Sequence, residues 1–225
     1  MTTTHDPQTP RWRRLPEERP GQILDAAIDV FGKRGLAGAR LEDIARRAGV
    51  SKGTIYLYFP NKEALFREVV RAKVVGRIEQ AEAARGEGTF AERLRRCMDA
   101  YWEFLRSPTF EIVQRLVQGE LHQFPDLAEF YSREVIMRGK ALLQSTIREG
   151  IDSGEIRPID PAVAARMLVA MLVQHAGWCN RRLIFRHLVD KTDAEIFDEV
   201  MEFFLDAIRA MPDSDRPALE ATRHA

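Results

Sequence analysis

The 225-residue chain is 45% hydrophobic and 30% charged, which excludes a low-complexity or fibrous protein and allows one large domain or two small ones. Its 34 basic and 34 acidic side chains cancel, but residues 1–71 hold 13 Lys and Arg against 9 Asp and Glu, whereas residues 72–225 hold 21 against 25. A basic front and an acidic back are expected where only the front meets phosphate. Cys97 and Cys179 are too few to write a disulfide framework, and they favour a reducing, cytoplasmic setting. The first twenty residues are polar and basic, without the apolar segment of a signal peptide. The most apolar stretch, 162–178, is interrupted by Arg166, Gln174 and His175, so it reads as a buried helix and no membrane partner is expected.

Residues 1–16 carry three prolines and no hydrophobic period, the mark of a flexible basic tail. From Gly21, apolar positions at Ile23, Ala26, Ala27, Val30 and Phe31 follow one helical face, with Gly32 and Gly35 expected to end the helix. Leu41, Ile44, Ala45 and Ala48 form a shorter helix closed by Gly49. A third opens at Ser51 and stops at Pro60, and Asn61 caps a long fourth helix reaching about Arg85. Beyond Gly86-Glu87-Gly88 the pattern predicts helices near 89–106, 109–123, 126–152, 161–188 and 193–211. No period-two alternation and no Asn-Gly or Asp-Gly turn occurs, so the fold class is all-α. Residues 213–225 read as a second loose tail.

The segment 41–59, LEDIARRAGVSKGTIYLYF, is the most informative. Two short helices crossing steeply need a small residue at their closest approach, and Ala45 supplies it. The turn needs a residue that tolerates positive φ, met by Gly49 four residues later, and Ile55, six further on, points back as an apolar anchor. This is the spacing of a helix-turn-helix, although an ordinary corner between two helices can share it. The exposed positions favour the former. Ser51, Lys52, Gly53 and Thr54 are short or cationic, and Arg40, Arg46, Arg47 and Lys62 surround them with charge suited to phosphate.

The stretches ILDAAIDVFGKRG and LEDIARRAGVSKGTIYLYFPNKEALF closely resemble the N-terminal domain of TetR-family regulators, over about Glu17 to Val70. The resemblance implies an N-terminal three-helix DNA-binding domain over 17–77 and a helical ligand-binding and dimerisation domain over 78–212. It further implies a homodimer on a palindromic operator of double-stranded DNA, and a repressor released by a small molecule. Thr54 and Lys52 match positions that contact bases or lie near them. Ser51, Tyr56, Tyr58 and Lys62 match positions that hold the DNA backbone, and Gly53 one that lets the helix approach closely. Where relatives often place Ser or Thr before the first helix of the motif, this chain has Ala39-Arg40, so Arg40 is expected to reach a phosphate instead of capping. In the tail, Arg11, Trp12, Arg13 and Arg14 form a cluster that is either an arm in the minor groove or a solvated tail.

Helices 161–188 and 193–211 carry more apolar surface than one buried face needs, and in the resembled family the last two long helices pair across the dimer. The family also lines a pocket with residues of the central helices. Candidates here are Trp102, Phe104, Phe110, Leu116, Phe124, Tyr131, Met137, His175 and Trp178, for an aromatic or largely apolar compound. No nucleophile, acid–base pair or Gly-rich phosphate loop stands out, so neither an enzyme nor a cofactor is expected. Pro125 breaks the helix between Glu120-x-His122 and Asp126, which argues against a metal.

Overall fold

A computed structural model of the chain describes residues 19–210, and the two tails, with the Arg11–Arg14 cluster, lie outside them. The chain divides between Val69 and Val70 into two compact units. This boundary precedes the expected one after residue 77, because Val74 and Val75 are buried in the second unit.

In the first unit, α1 (Arg19–Gly38), α2 (Leu41–Ala48), α3 (Lys52–Tyr58) and the start of α4 (Lys62–Val70) surround a small core. Ile23, Ala27 and Phe31 of α1 are fully buried with Ile44 and Ile55, and the Phe31 ring meets Phe66 edge-on at 6.1 Å. Gly32 does not end α1, contrary to expectation. A single glycine costs only about 1 kcal/mol in a helix, and the interruption comes at Gly35, where φ is 71°. Gly49 takes the left-handed conformation, φ 67° and ψ 30°, and closes α2. Asn61 accepts a hydrogen bond from the Ala64 amide at 2.7 Å, capping α4 as its position predicts.

The long fourth helix is not uniform. A π-helical segment, Arg71–Val75, separates α4 from α5 (Gly76–Ala84). After α6 (Phe90–Leu105), α7 (Pro108–Gly119) and α8 (Pro125–Tyr131), a second π segment, Ser132–Met137, leads into α9 (Arg138–Asp152). The two wide segments pack against each other. Then come α10 (Pro161–Asn180), the short α11 (Arg182–Phe185) and α12 (Asp193–Ile208). No strand occurs among the described residues, so the fold is all-α.

Local chemistry sets most of these ends. Thr89 with Glu92 and Thr192 with Glu195 form capping boxes, and Ser107 and Asp160 cap helices that begin with proline. The helix expected over 161–188 breaks at Arg181. Asn180 donates to the Leu105 carbonyl at 3.0 Å and Arg182 to the Val189 carbonyl at 2.8 Å, with Asp193 also on Arg182. These bonds favour a turn over another helical turn.

By length and composition α10 could cross a membrane, with mean hydropathy 1.3. Instead it packs against α6, α9 and α12, burying Ala164, Leu168, Leu172 and Ala176. Below it, α9 crosses α6 so closely that a Cβ added at Gly150 would lie 2.5 Å from Phe90 Cδ2. Gly150→Ala therefore lowers unfolding stability by about 1–3 kcal/mol in urea titration. Gly119→Ala, where nothing lies within 4 Å, leaves stability unchanged or raises it by up to about 1 kcal/mol.

Candidate nucleic-acid interface and ligand cavity

Among the described residues of α3, Ile55 alone is buried. Ser51, Lys52, Gly53, Tyr56, Leu57 and Tyr58 are exposed and Thr54 is half-buried. The leading turn is rigidly capped. Ser51 Oγ accepts from the Thr54 amide at 3.1 Å and lies 2.8 Å from Thr54 Oγ1, which ties both hydroxyls together. A Cβ at Gly53 would meet only Ser51 Oγ at 3.8 Å, so no packing inside the chain calls for glycine there. Leu57, 82% exposed, was not singled out from the sequence. Its signal was available, since Ile55 as anchor puts Leu57 on the other side of a helix turning 100° per residue.

Most cations around α3 are already engaged. Lys52 Nζ lies 2.8 Å from Glu42 Oε1, and the Tyr56 hydroxyl donates to the same oxygen at 3.2 Å. The Lys52 hydrogen bond holds the Glu42 carboxyl down to about pKa 2, and Glu42 in turn raises Lys52. Arg46 pairs with Asp43 at 3.1 Å, Arg34 shares that aspartate, and Arg47 pairs with Asp29. Lys62 Nζ donates to the Ala37 carbonyl at 2.7 Å. Arg40 is exposed and makes no side-chain cap for α2, and no ion pair of it appears among the described residues. Glu42 is the second residue that sequence reasoning passed over, because an acidic first turn of a helix is an ordinary dipole partner.

In the second unit lies a cavity of about 590 Å³. Of the expected pocket residues, Phe104, Phe110 and Tyr131 line it. Trp102 instead meets Phe197, with ring centroids 5.7 Å apart and planes tilted by 36°, Leu116 sits in the core, Phe124 stands at the N-cap position of α8 without a side-chain cap, and Met137 is exposed. His175 and Trp178 form a separate aromatic pair at 4.8 Å. Both π segments contribute to the wall through Val74, Val135 and Ile136. Small residues on α10, Ala162, Ala165 and Ala170, leave the space open. Burial raises the phenols of Tyr101 and Tyr131, the latter to about 12, and pushes the Cys97 thiol to about 11, so all three line the cavity un-ionised at neutral pH.

Residues 23–69 match the family model described as bacterial regulatory proteins, tetR family. Residues 92–210 match the model for the C-terminal domain of AefR-like transcriptional repressors. The fatty acid metabolism regulator protein of Bacillus subtilis is 31% identical over 159 residues, covering 68% of this chain and 80% of that protein. An HTH-type transcriptional repressor of Streptomyces coelicolor is 30% identical over 167 residues, 73% of this chain and 80% of its own. The crystal structure of the regulator FadR from Bacillus subtilis in complex with stearoyl-CoA superposes with a TM-score of 0.68, at 26% identity, over 84% of this chain and 99% of that one. With a solvent-exposed α3 in a helix-turn-helix of the first unit and a C-terminal helical domain that matches the second model, the chain belongs to the TetR family of DNA-binding transcriptional regulators.

Proposed function

We propose that the protein is a homodimeric repressor that holds a palindromic operator through α3 and releases it when a small, largely apolar molecule fills the cavity. The observation that carries this reading is the presentation of α3, anchored by Ile55 with its remaining face turned to solvent. Thr54 and Leu57 are the base-reading positions, Leu57 toward thymine methyls. Arg40, Ser51, Tyr56, Tyr58 and Lys62 hold phosphates, Lys52 beside the bases adds a phosphate contact there, and Gly53 admits the backbone closely.

The ion pairs make binding an exchange. Operator phosphates displace Glu42 from Lys52 and Tyr56, so part of the electrostatic gain is offset by breaking a contact already present. Dimerisation uses α10 and α12. Val163 and Met167 on α10 and Phe203 on α12, 69% exposed, are apolar and unburied within one chain, and two half-sites multiply the weak contact of one short helix. Effector binding acts on α5, which continues through the π segment from α4. It shifts the two reading heads away from one DNA turn, roughly 34–36 Å. A 100-fold loss of affinity needs only about 2.7 kcal/mol of coupling.

The decisive experiment selects bound duplexes from a random pool and measures their affinity against salt. Lys52→Ala weakens binding to all sequences and flattens the salt slope by about one unit, whereas Glu42→Gln strengthens it by about two- to five-fold. Thr54→Ala instead changes preference at one base pair, by roughly 1–3 kcal/mol. An unchanged slope in Lys52→Ala removes that phosphate contact. In sedimentation, Met167→Glu with Phe203→Glu shifts the dimer to monomer, and a dimer that survives both changes lies elsewhere.

A further inference from the structure

The charged residues lining the cavity are Arg77, Lys140 and Arg166, and no carboxylate is among its lining residues. In a chain whose acids and bases balance, that one-sided lining requires explanation. Pairing sharpens it. Arg138 on α9 is engaged by Glu79 on α5 at 3.0 Å. On the same two helices, Arg77 meets only the neutral Gln80 amide at 2.9 Å, and Lys140 makes no ion pair among the described residues. A Cβ at Gly139 would lie 4.0 Å from Ile78 Cδ1, so α5 and α9 touch at the residues next in sequence to Arg77 and Lys140. Arg166 belongs to the α10 wall. All three line the wall and are also exposed, as long cationic side chains at the edge of an apolar space can be. The remaining wall is apolar, with Val74, Phe104, Leu143 and Val169, and a void of about 590 Å³ is far larger than close-packed interiors leave unfilled.

We propose that the cavity takes an amphipathic anion, an apolar chain inside and a carboxylate or phosphate head on Arg77, Lys140 and Arg166. The proposal rests on the cavity being the effector site and names its ligand class. The head would engage α5 through Arg77, on the helix that follows α4 and its π segment, which gives the ligand a direct hold on the path toward the reading head. A neutral aromatic compound would leave the three cations unused.

The test is calorimetry on the full chain with dodecanoate, dodecanoyl-coenzyme A and dodecanol, alongside binding of a duplex from upstream of its own gene. At least one anion binds ten-fold or more tightly than dodecanol. Arg77→Gln with Lys140→Gln removes most of that advantage and leaves dodecanol unchanged, which a merely structural role would not do. A preference for the thioester assigns the head to the carrier phosphates, and a preference for dodecanoate to a free carboxylate. Equal binding of dodecanol, equal losses for anion and alcohol in the variant, or a protein that holds the duplex yet ignores both anions overturns the ligand class. Anion binding without duplex binding upholds it and overturns the regulator reading instead.

Discussion

A seven-residue helix has no stability of its own in water, because nucleation costs more than so few hydrogen bonds return. In this protein α3 stands because Ile55 is fully buried where α3 packs on α2, and because Ser51 caps its first turn. With Ile55 as the one buried side chain of α3, the others stay exposed or half-buried at its outer face. The tight turn at Gly49 then sets the angle at which that face is offered. A larger apolar contact would hold the helix more firmly but would turn Tyr56 or Leu57, both now exposed, inward.

The same surface shows how a neutral protein can serve a polyanion. Its cations are stored against its own carboxylates, Lys52 on Glu42 and Arg46 on Asp43. Exposed pairs of this kind are individually weak, which is what the proposed exchange with operator phosphates requires.

In the second unit the governing constraint falls on α10, which is apolar on nearly all sides. Ala164, Leu168 and Leu172 face the core, Ala162, Val169 and Val173 face the cavity, and Val163 and Met167 remain open. Two of these faces answer to the core and to the cavity, and the third is the one assigned above to a second copy of the chain; a helix serving only a core would carry one apolar face. The two π segments belong to the same economy. Each widens a helix by a residue and redirects its side chains, and Val74, Val135 and Ile136 reach the cavity from them.

The all-α class, the helix-turn-helix and the family were readable in the chain because their signals are local. Ala45, Gly49 and Ile55 are a few residues apart, and helical period and turn chemistry act over that range. Helix ends were legible where a cap spelled them, as at Asn61, and were missed where a distant hydrogen bond decided, as at Arg181. The cavity wall was only partly legible. Phe104, Phe110 and Tyr131 belong to it, whereas Trp102, His175 and Trp178 are equally aromatic and do not. Composition cannot separate these two groups, since which side of a helix meets a void depends on partners far away in the chain. Likewise Arg77 and Arg138 look alike in sequence. Only packing of α5 on α9 gives one a carboxylate and leaves the other facing an apolar cavity, because electrostatics responds to distance in space and not to order along the backbone.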